Sequence, residues 1–250
     1  VAAGNEKWRG PAVGDSAWVS FANGPWQRVQ VRASDYWTNG GLNGYDCLAS
    51  GPCAKNALTV GALSQHDTLA SFSGTGPTND GRIKPDVVAL GQDVLAAGLN
   101  GANNGYTVTS GTSFAAPTVA GVAVQLQQLF KRYFTVDPLP STIKAVITHT
   151  ARDIGNPGPD YRHGWGVVDA LKAARQLELA NNDGAFAVNE FRLKQNINQH
   201  FYVKAVDANT PIVVTVAWSD PAAKVTEGGA IVDQIYSTST TPKLVHDLDV

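Results

Sequence analysis

Residues 1–182 read as part of an α/β domain built on a parallel sheet, and residues 183–250 as part of an all-β sandwich domain. Three observations carry this division. Short apolar runs bounded by turn residues alternate with helical patterns as far as residue 182. The apolar period lengthens from strand-like to helix-like directly after residue 110. Beyond Gly184 the helical signal disappears, and polar and apolar residues alternate.

Taken in order, VAAGN (1–5) predicts a strand ending in a Gly-Asn turn. Residues 6–54 read as an irregular insertion holding four of the chain's six tryptophans, Trp8, Trp18, Trp26 and Trp37. The favoured reading is that these rings pin down a segment lacking its own core; an aromatic ligand groove is the alternative. NALTVGAL (56–63) predicts a strand, and SFSGTGPTNDGRIKP (71–85) a loop whose Asp and Asn residues are turn formers. DVVAL (86–90), DVLAA (93–97) and YTVT (106–109) predict three short strands.

After SGTSFAAP, Val122, Leu126, Leu129, Phe130 and Tyr133 share one helical face. Pro117 is assigned to the first turn of that helix, where a missing N–H is tolerated. A second helix is expected near Ser141 as N-cap behind Pro140, with Ile143, Val146 and Ile147 inward. A third runs from about Asp169 to the Asn-Asn-Asp-Gly turn at 181–184. FRLKQ, HFYVKAV, PIVVTVAWSD and LVHDLDV then supply the β-rich tail.

Composition bounds the partners. Lys+Arg number 19 and Asp+Glu 21, a net charge of −2, so charge indicates neither nucleic acid nor an acidic membrane surface. Charged residues are 16% of the chain and hydrophobic ones 43%, enough apolar material for a core and against disorder. No apolar run approaches the ~18 residues of a membrane span. The chain holds no Met, and both ends fall in strand-like runs, which predicts a piece of a longer translation product.

Cys47 and Cys53 flank a Gly/Pro loop. A disulfide between them, in an oxidising compartment, is the favoured reading, with two unbridged thiols or a zinc site as alternatives. Asp247 and Asp249 alternate in HDLDV, and their carboxylates suit calcium as well as solvent or pairing within a sandwich. The metal ligands are therefore left open, and a structural Ca²⁺ is compatible with the chain.

The chemistry concentrates at Ser113. Serine needs a positioned hydroxyl and a base. In SGTSFAAPTVAG (110–121), Ser113 stands between a glycine turn and a helix, where its own N–H points outward and can meet an oxyanion. Asn5, just past a strand end, offers an amide NH₂ as a second donor. A helix cap and a simple turn are the plain structural readings of the two motifs taken singly.

With these motifs the chain resembles the subtilisin-like serine peptidases. VAAGNE (1–6) matches their oxyanion-asparagine motif and GTSFAAPTVAG (111–121) their nucleophile motif. AKNALTVGA (54–62), FSGTGPTNDGRIKPDVVALG (72–91) and HGWGVVDALKAA (163–174) look like the linking segments and closing helix. VVTVAWSD (213–220) and LVHDLDV (244–250) are similar to the β-sandwich or jelly-roll domain of one secreted branch.

The resemblance implies a secreted endopeptidase acting on protein or peptide substrates, with no cofactor required for the chemistry. Ser113 is the implied acyl-enzyme nucleophile, and Asn5 the oxyanion donor. Ala3 and Gly4 form part of the wall of the pocket for the residue before the scissile bond. Phe114 stands where the family usually has Met, and Thr118 where His is common. The family's catalytic Asp and His precede the oxyanion Asn, so a partner segment carrying them is implied and this chain alone is expected to be inactive. An α/β-hydrolase order would nominate His149 or His163 as base, but that family requires G-x-S-x-G and Ala115 occupies the last position.

Overall fold

Four backbone tracks run in parallel at the centre of the protein. The computed structural model describes residues 1–5, 7, 14–20, 25–30, 45, 47–48, 51–98, 105–182, 188–194, 197–202, 208–209, 211–223 and 244–246. In it, Ala2 bridges in parallel to Val60, and β3 (Val60–Leu63) pairs in parallel with β4 (Val87–Leu90). Val88 bridges in parallel to Val167, which is itself bridged antiparallel to Arg152. Val60, Ala62, Leu63, Val87, Val88 and Ala89 are all buried, as expected for strands covered on both faces. The predicted strand at 56–63 is thus shorter, because Asn56–Thr59 lead in without joining the ladder.

Two antiparallel hairpins stand outside this array. β1 (Ser16–Ser20) pairs with β2 (Trp26–Gln30), so the insertion expected to be irregular carries a hairpin. Trp18 and Trp26 belong to its strands; Trp8 and Trp37 lie outside the described residues. β5 (Val94–Ala97) pairs with β6 (Tyr106–Thr109) in the register Leu95↔Val108.

Helix α1 (Thr112–Phe134) lies across β3 and β4. Its buried residues, Thr112, Ala115, Val119, Val122, Leu126 and Phe130, recur every three or four positions, giving one apolar stripe. Leu129 and Tyr133 pack at its margin. Pro117 is the sixth helical residue rather than part of the first turn. It has no N–H to offer the carbonyl of Ser113, four residues before it. The helix ends on Thr135, whose left-handed backbone (φ 60°) lets its N–H bond Lys131 O at 2.9 Å.

Helix α2 (Pro140–Thr150) buries Ile143, Val146 and Ile147. Its N-cap is Leu139, with Pro140 as first helical residue, so Ser141 is not the cap. The carboxylate of Glu190 caps the helix from outside, its Oε1 accepting from Leu139 N–H at 2.8 Å and from the Thr142 hydroxyl. Helix α3 (Ala170–Asn182) starts behind Asp169, whose Oδ1 accepts from Lys172 N–H at 2.8 Å, and buries Ala173 and Leu177.

Among the described residues beyond 182, no strand ladder forms. Ile212, Val213, Val214, Phe191 and Phe201 are exposed, while the backbone of Asp220 hydrogen-bonds the Asn56 side chain. Asp247 and Asp249 lie outside the described residues.

The cysteine bridge is not formed. Cys47 is buried and turned toward Thr75 instead: its N–H reaches Thr75 O at 3.0 Å, and its Sγ lies 3.1 Å from Thr75 Oγ1. Cys53 closes a short 3₁₀ turn (Gly51–Cys53). Backbone pairing with the 73–75 segment, rather than the loop between the cysteines, sets the direction of the Cys47 side chain.

Candidate active site

The site sits at the carboxyl ends of the parallel tracks, where open α/β sheets leave their crevice. Gly91 follows β4; its N–H bonds Leu63 O at 3.0 Å, and its carbonyl receives Gly111 N–H at 2.8 Å. A Cβ on Gly91 would lie 2.8 Å from both Ala62 Cβ and Gly111 O, so only glycine lets the nucleophile turn come this close to the sheet.

Gly111 is the extended N-cap of α1, and no side chain caps the helix from within its own turn. The three first amides are dealt with separately. Thr112 N–H donates to Asn5 Oδ1 at 2.7 Å, and Phe114 N–H to Gly111 O at 3.0 Å. Between them, Ser113 N–H makes no hydrogen bond among the described residues. Ser113 itself is exposed. A positively polarised helix N-terminus therefore presents an amide beside the exposed hydroxyl.

Asn5 is held by the same turn. The Thr112 hydroxyl adds a second hydrogen bond to Asn5 Oδ1 at 2.9 Å, and Gly4 N–H donates to that hydroxyl at 3.2 Å. With Oδ1 occupied as acceptor, the amide's donor end is oriented the other way. Nδ2 stands 3.2 Å from where a Cβ on Gly111 would be. Asn5 and Ser113, 108 positions apart in the chain, are thus brought to one turn. An acyl carbonyl lying over Ser113 can meet two N–H donors there, the requirement for stabilising a tetrahedral oxyanion. Thr112 is the residue that sequence reasoning missed. Its position before the nucleophile was visible, but its long-range bond to Asn5 was not.

Ala3 and Gly4 flank Asn5 on the strand side. Ala3 is buried, with its N–H on Val60 O at 2.9 Å. Gly4 adopts φ 110°, a conformation that favours glycine, and its carbonyl accepts Gly74 N–H at 2.9 Å. A Cβ on Gly74 would fall 2.5 Å from Ala3 O, so the wall has glycine on both sides of a tight seam.

Beneath the sheet, Lys84 and Asp86 form a buried pair at 2.6 Å. Asp86 Oδ2 also accepts from Thr59 N–H at 2.6 Å, while Lys84 Nζ donates to Ala57 O at 2.8 Å. Burial pushes the Lys84 pKa down, against the pull of Asp86. The pair locks the entrances of β3 and β4 together.

Among the described residues, no hydrogen bond joins a histidine to Ser113. His149 lies in α2 with Nδ1 2.9 Å from Thr215 Oγ1; burial, aided by Lys172, holds its pKa below the ordinary value. His163 Nδ1 lies 3.3 Å from Asp160 Oδ2. Asp160 Oδ1 ties the Arg162 and His163 amides, each at 2.7 Å. Although burial opposes it, these bonds bring the Asp160 pKa below the usual carboxylate range. That turn is a structural loop. Among the described residues, no group of three His, Cys, Asp or Glu side chains is arranged to hold a metal.

A strand-end amide, a helix-borne serine and a first-turn N–H without a hydrogen bond among the described residues thus meet at one turn. The Subtilase family model matches residues 1–166, and the chain belongs to that family of serine proteases. It is similar to the Extracellular serine protease of Serratia marcescens, 32% identical over 70% of this chain and 16% of the relative. It is also similar to Subtilisin-like protease SBT6.1 of Arabidopsis thaliana, 32% identical over 54% of this chain and 13% of the relative. The structure of the Clostridium perfringens CspB protease aligns with a TM-score of 0.49 at 26% identity, over 54% of this chain and 30% of that one. The chain therefore spans less than a fifth of the length of these two curated relatives.

Proposed function

We propose that this chain carries the nucleophile and oxyanion site of a secreted serine endopeptidase. Ser113 Oγ attacks the scissile carbonyl and forms the acyl-enzyme. Asn5 Nδ2 and Ser113 N–H receive the oxyanion, and Ala3 and Gly4 line the pocket for the preceding residue. Water then releases the acyl group. The observation that supports this reading is the double hydrogen bond from Thr112 to Asn5 Oδ1, which brings Asn5 to the turn that carries the exposed Ser113. The base and its orienting carboxylate come from a segment outside these residues, as the order of the family's motifs implies. Secretion is supported by the name of the Serratia relative, an extracellular protease.

A fluorophosphonate probe tests the assignment. In the full-length protein it should label Ser113, and the label should vanish in Ser113→Ala. Failure of the parent protein to label would remove the enzymatic reading and leave a binding or structural role for the same fold. The purified 250 residues should show no turnover, and measurable peptidase activity from them would refute the external base.

A further inference from the structure

Among the described residues beyond 182, Val188 packs against the α/β core, and the side chains of Glu190, Thr215 and Asp220 hydrogen-bond the α/β unit around one helix. Glu190 Oε1 takes Leu139 N–H and the Thr142 hydroxyl at the amino end of α2. Thr215 Oγ1 meets His149 Nδ1 at 2.9 Å, on the last turn of the same helix. Asp220 closes the set just beyond it. Lys55 Nζ donates to Asp220 Oδ2 at 2.5 Å and to Pro221 O at 2.6 Å. Asn56 exchanges two 2.9 Å hydrogen bonds with the Asp220 backbone. Lys144, in the middle of α2, donates to Lys55 O at 3.1 Å, tying helix and anchor together. Asp220 also gathers the tail itself, accepting the Val245 and His246 amides at 2.9 Å each.

We infer that the described residues of 188–194 and 211–221 form a strap that grips α2 at both ends and fastens it, through Asp220, to the Lys55–Asn56 segment. The location says what the strap is for. Lys55 and Asn56 precede β3, at the amino-terminal side of the sheet, whereas Asn5, Gly91 and Ser113 stand at its carboxyl ends. Among the described residues, the tail's polar contacts therefore clamp the side of the domain far from Ser113. Their action reaches the nucleophile helix only through packing, since α2 lies against α1 and α3. The bonds of the Glu190 and Asp220 carboxylates are charge-assisted, the stronger kind, and two of the groups they engage, Thr142 and Asp220 itself, are buried.

The test is hydrogen exchange read by mass spectrometry on the full chain. Asp220→Asn and Glu190→Gln keep the side-chain shapes and remove the charges. In the double variant, peptides covering 139–150 should exchange roughly tenfold faster or more, with each single variant intermediate, while β3 and β4 keep their protection. Asp137→Asn, which breaks an exposed ion pair with Lys131, serves as the control and should change nothing in α2. Unchanged α2 exchange in the double variant would overturn the strap, as would an equal loss of protection in β3 and β4. If the double variant does not fold, the parent protein decides. Peptides from 188–194 and 211–221 must open together with α2, and independent opening contradicts the inference.

Discussion

Thr112 commits two donors to a single oxygen of Asn5, and in the proposed mechanism the reactivity of Ser113 depends on that arrangement. Thr112→Val keeps the backbone donor and removes the hydroxyl, so Asn5 Oδ1 loses one of its two hydrogen bonds from Thr112. A kcat loss of up to about tenfold with KM near the parent value is expected, matching one hydrogen bond acting through a positioned group. An increase in KM alone would place Thr112 in ordinary substrate binding. Phe114, half-buried, approaches to 3.6 Å the position a Gly111 Cβ would occupy. It carries no thioether beside the nucleophile, so Phe114→Met should be inactivated faster by peroxide than the parent. Equal inactivation rates would remove that advantage. At this scale the placing of Ser113 between a glycine turn and a helix was legible from the sequence because the block is contiguous. Cys47 was not: its thiol answers to Thr75, a contact that no spacing between the two cysteines encodes.

Among the elements, α1 does most of the fold's work, since the same 23 residues carry the core stripe and present Ser113 at their start. Leu126, fully enclosed in the stripe, should cost about 2–5 kcal/mol as Leu126→Ala, measured by chemical denaturation. The Lys84–Asp86 pair makes a different demand. Lys84→Met would leave the Asp86 carboxylate buried without its cation, and a loss of about 3–5 kcal/mol is expected on the same measurement. β4, β5, β6 and the inward faces of α1 and α2 could be read directly, because their period and flanking turn residues agree with their packing. The β1–β2 hairpin was hidden in a segment whose Gly and Pro content resembled a plain insertion. The cap of α2 was hidden for another reason, as Glu190 arrives from 48 residues beyond Thr142 and leaves no local signature.

For the molecule as a whole, the tail's hold on the α/β unit is sensitive to acid. Although burial alone would raise it, the Lys55 ammonium and the Val245 and His246 amides bring the Asp220 pKa down to about 2. A carboxylate depressed in the fold contributes stability above its unfolded pKa of about 4, and loses it as pH falls through its folded value. His149 works in the same direction. Its pKa is lowered by burial and by Lys172, so the fold favours the neutral ring, and acid below the ordinary histidine range opposes the Thr215 contact. Tail protection should therefore decline in acid, and the step nearest pH 2 should be absent from Asp220→Asn. Hydrogen exchange across pH 7 to 3 should already show the start of this decline, and a tail equally protected throughout would contradict it.

The most direct measurement of the central claim is the kinetics of Asn5→Ala in the full-length enzyme. Asn5 and Ser113 N–H are assigned to the oxyanion, which exists only on the reaction path. Removing Asn5 should therefore lower kcat by about 10²–10³ with KM little changed, a magnitude carried over from a subtilisin rather than deduced from this chain. A variant with kcat intact, or with the loss confined to KM, would contradict the account.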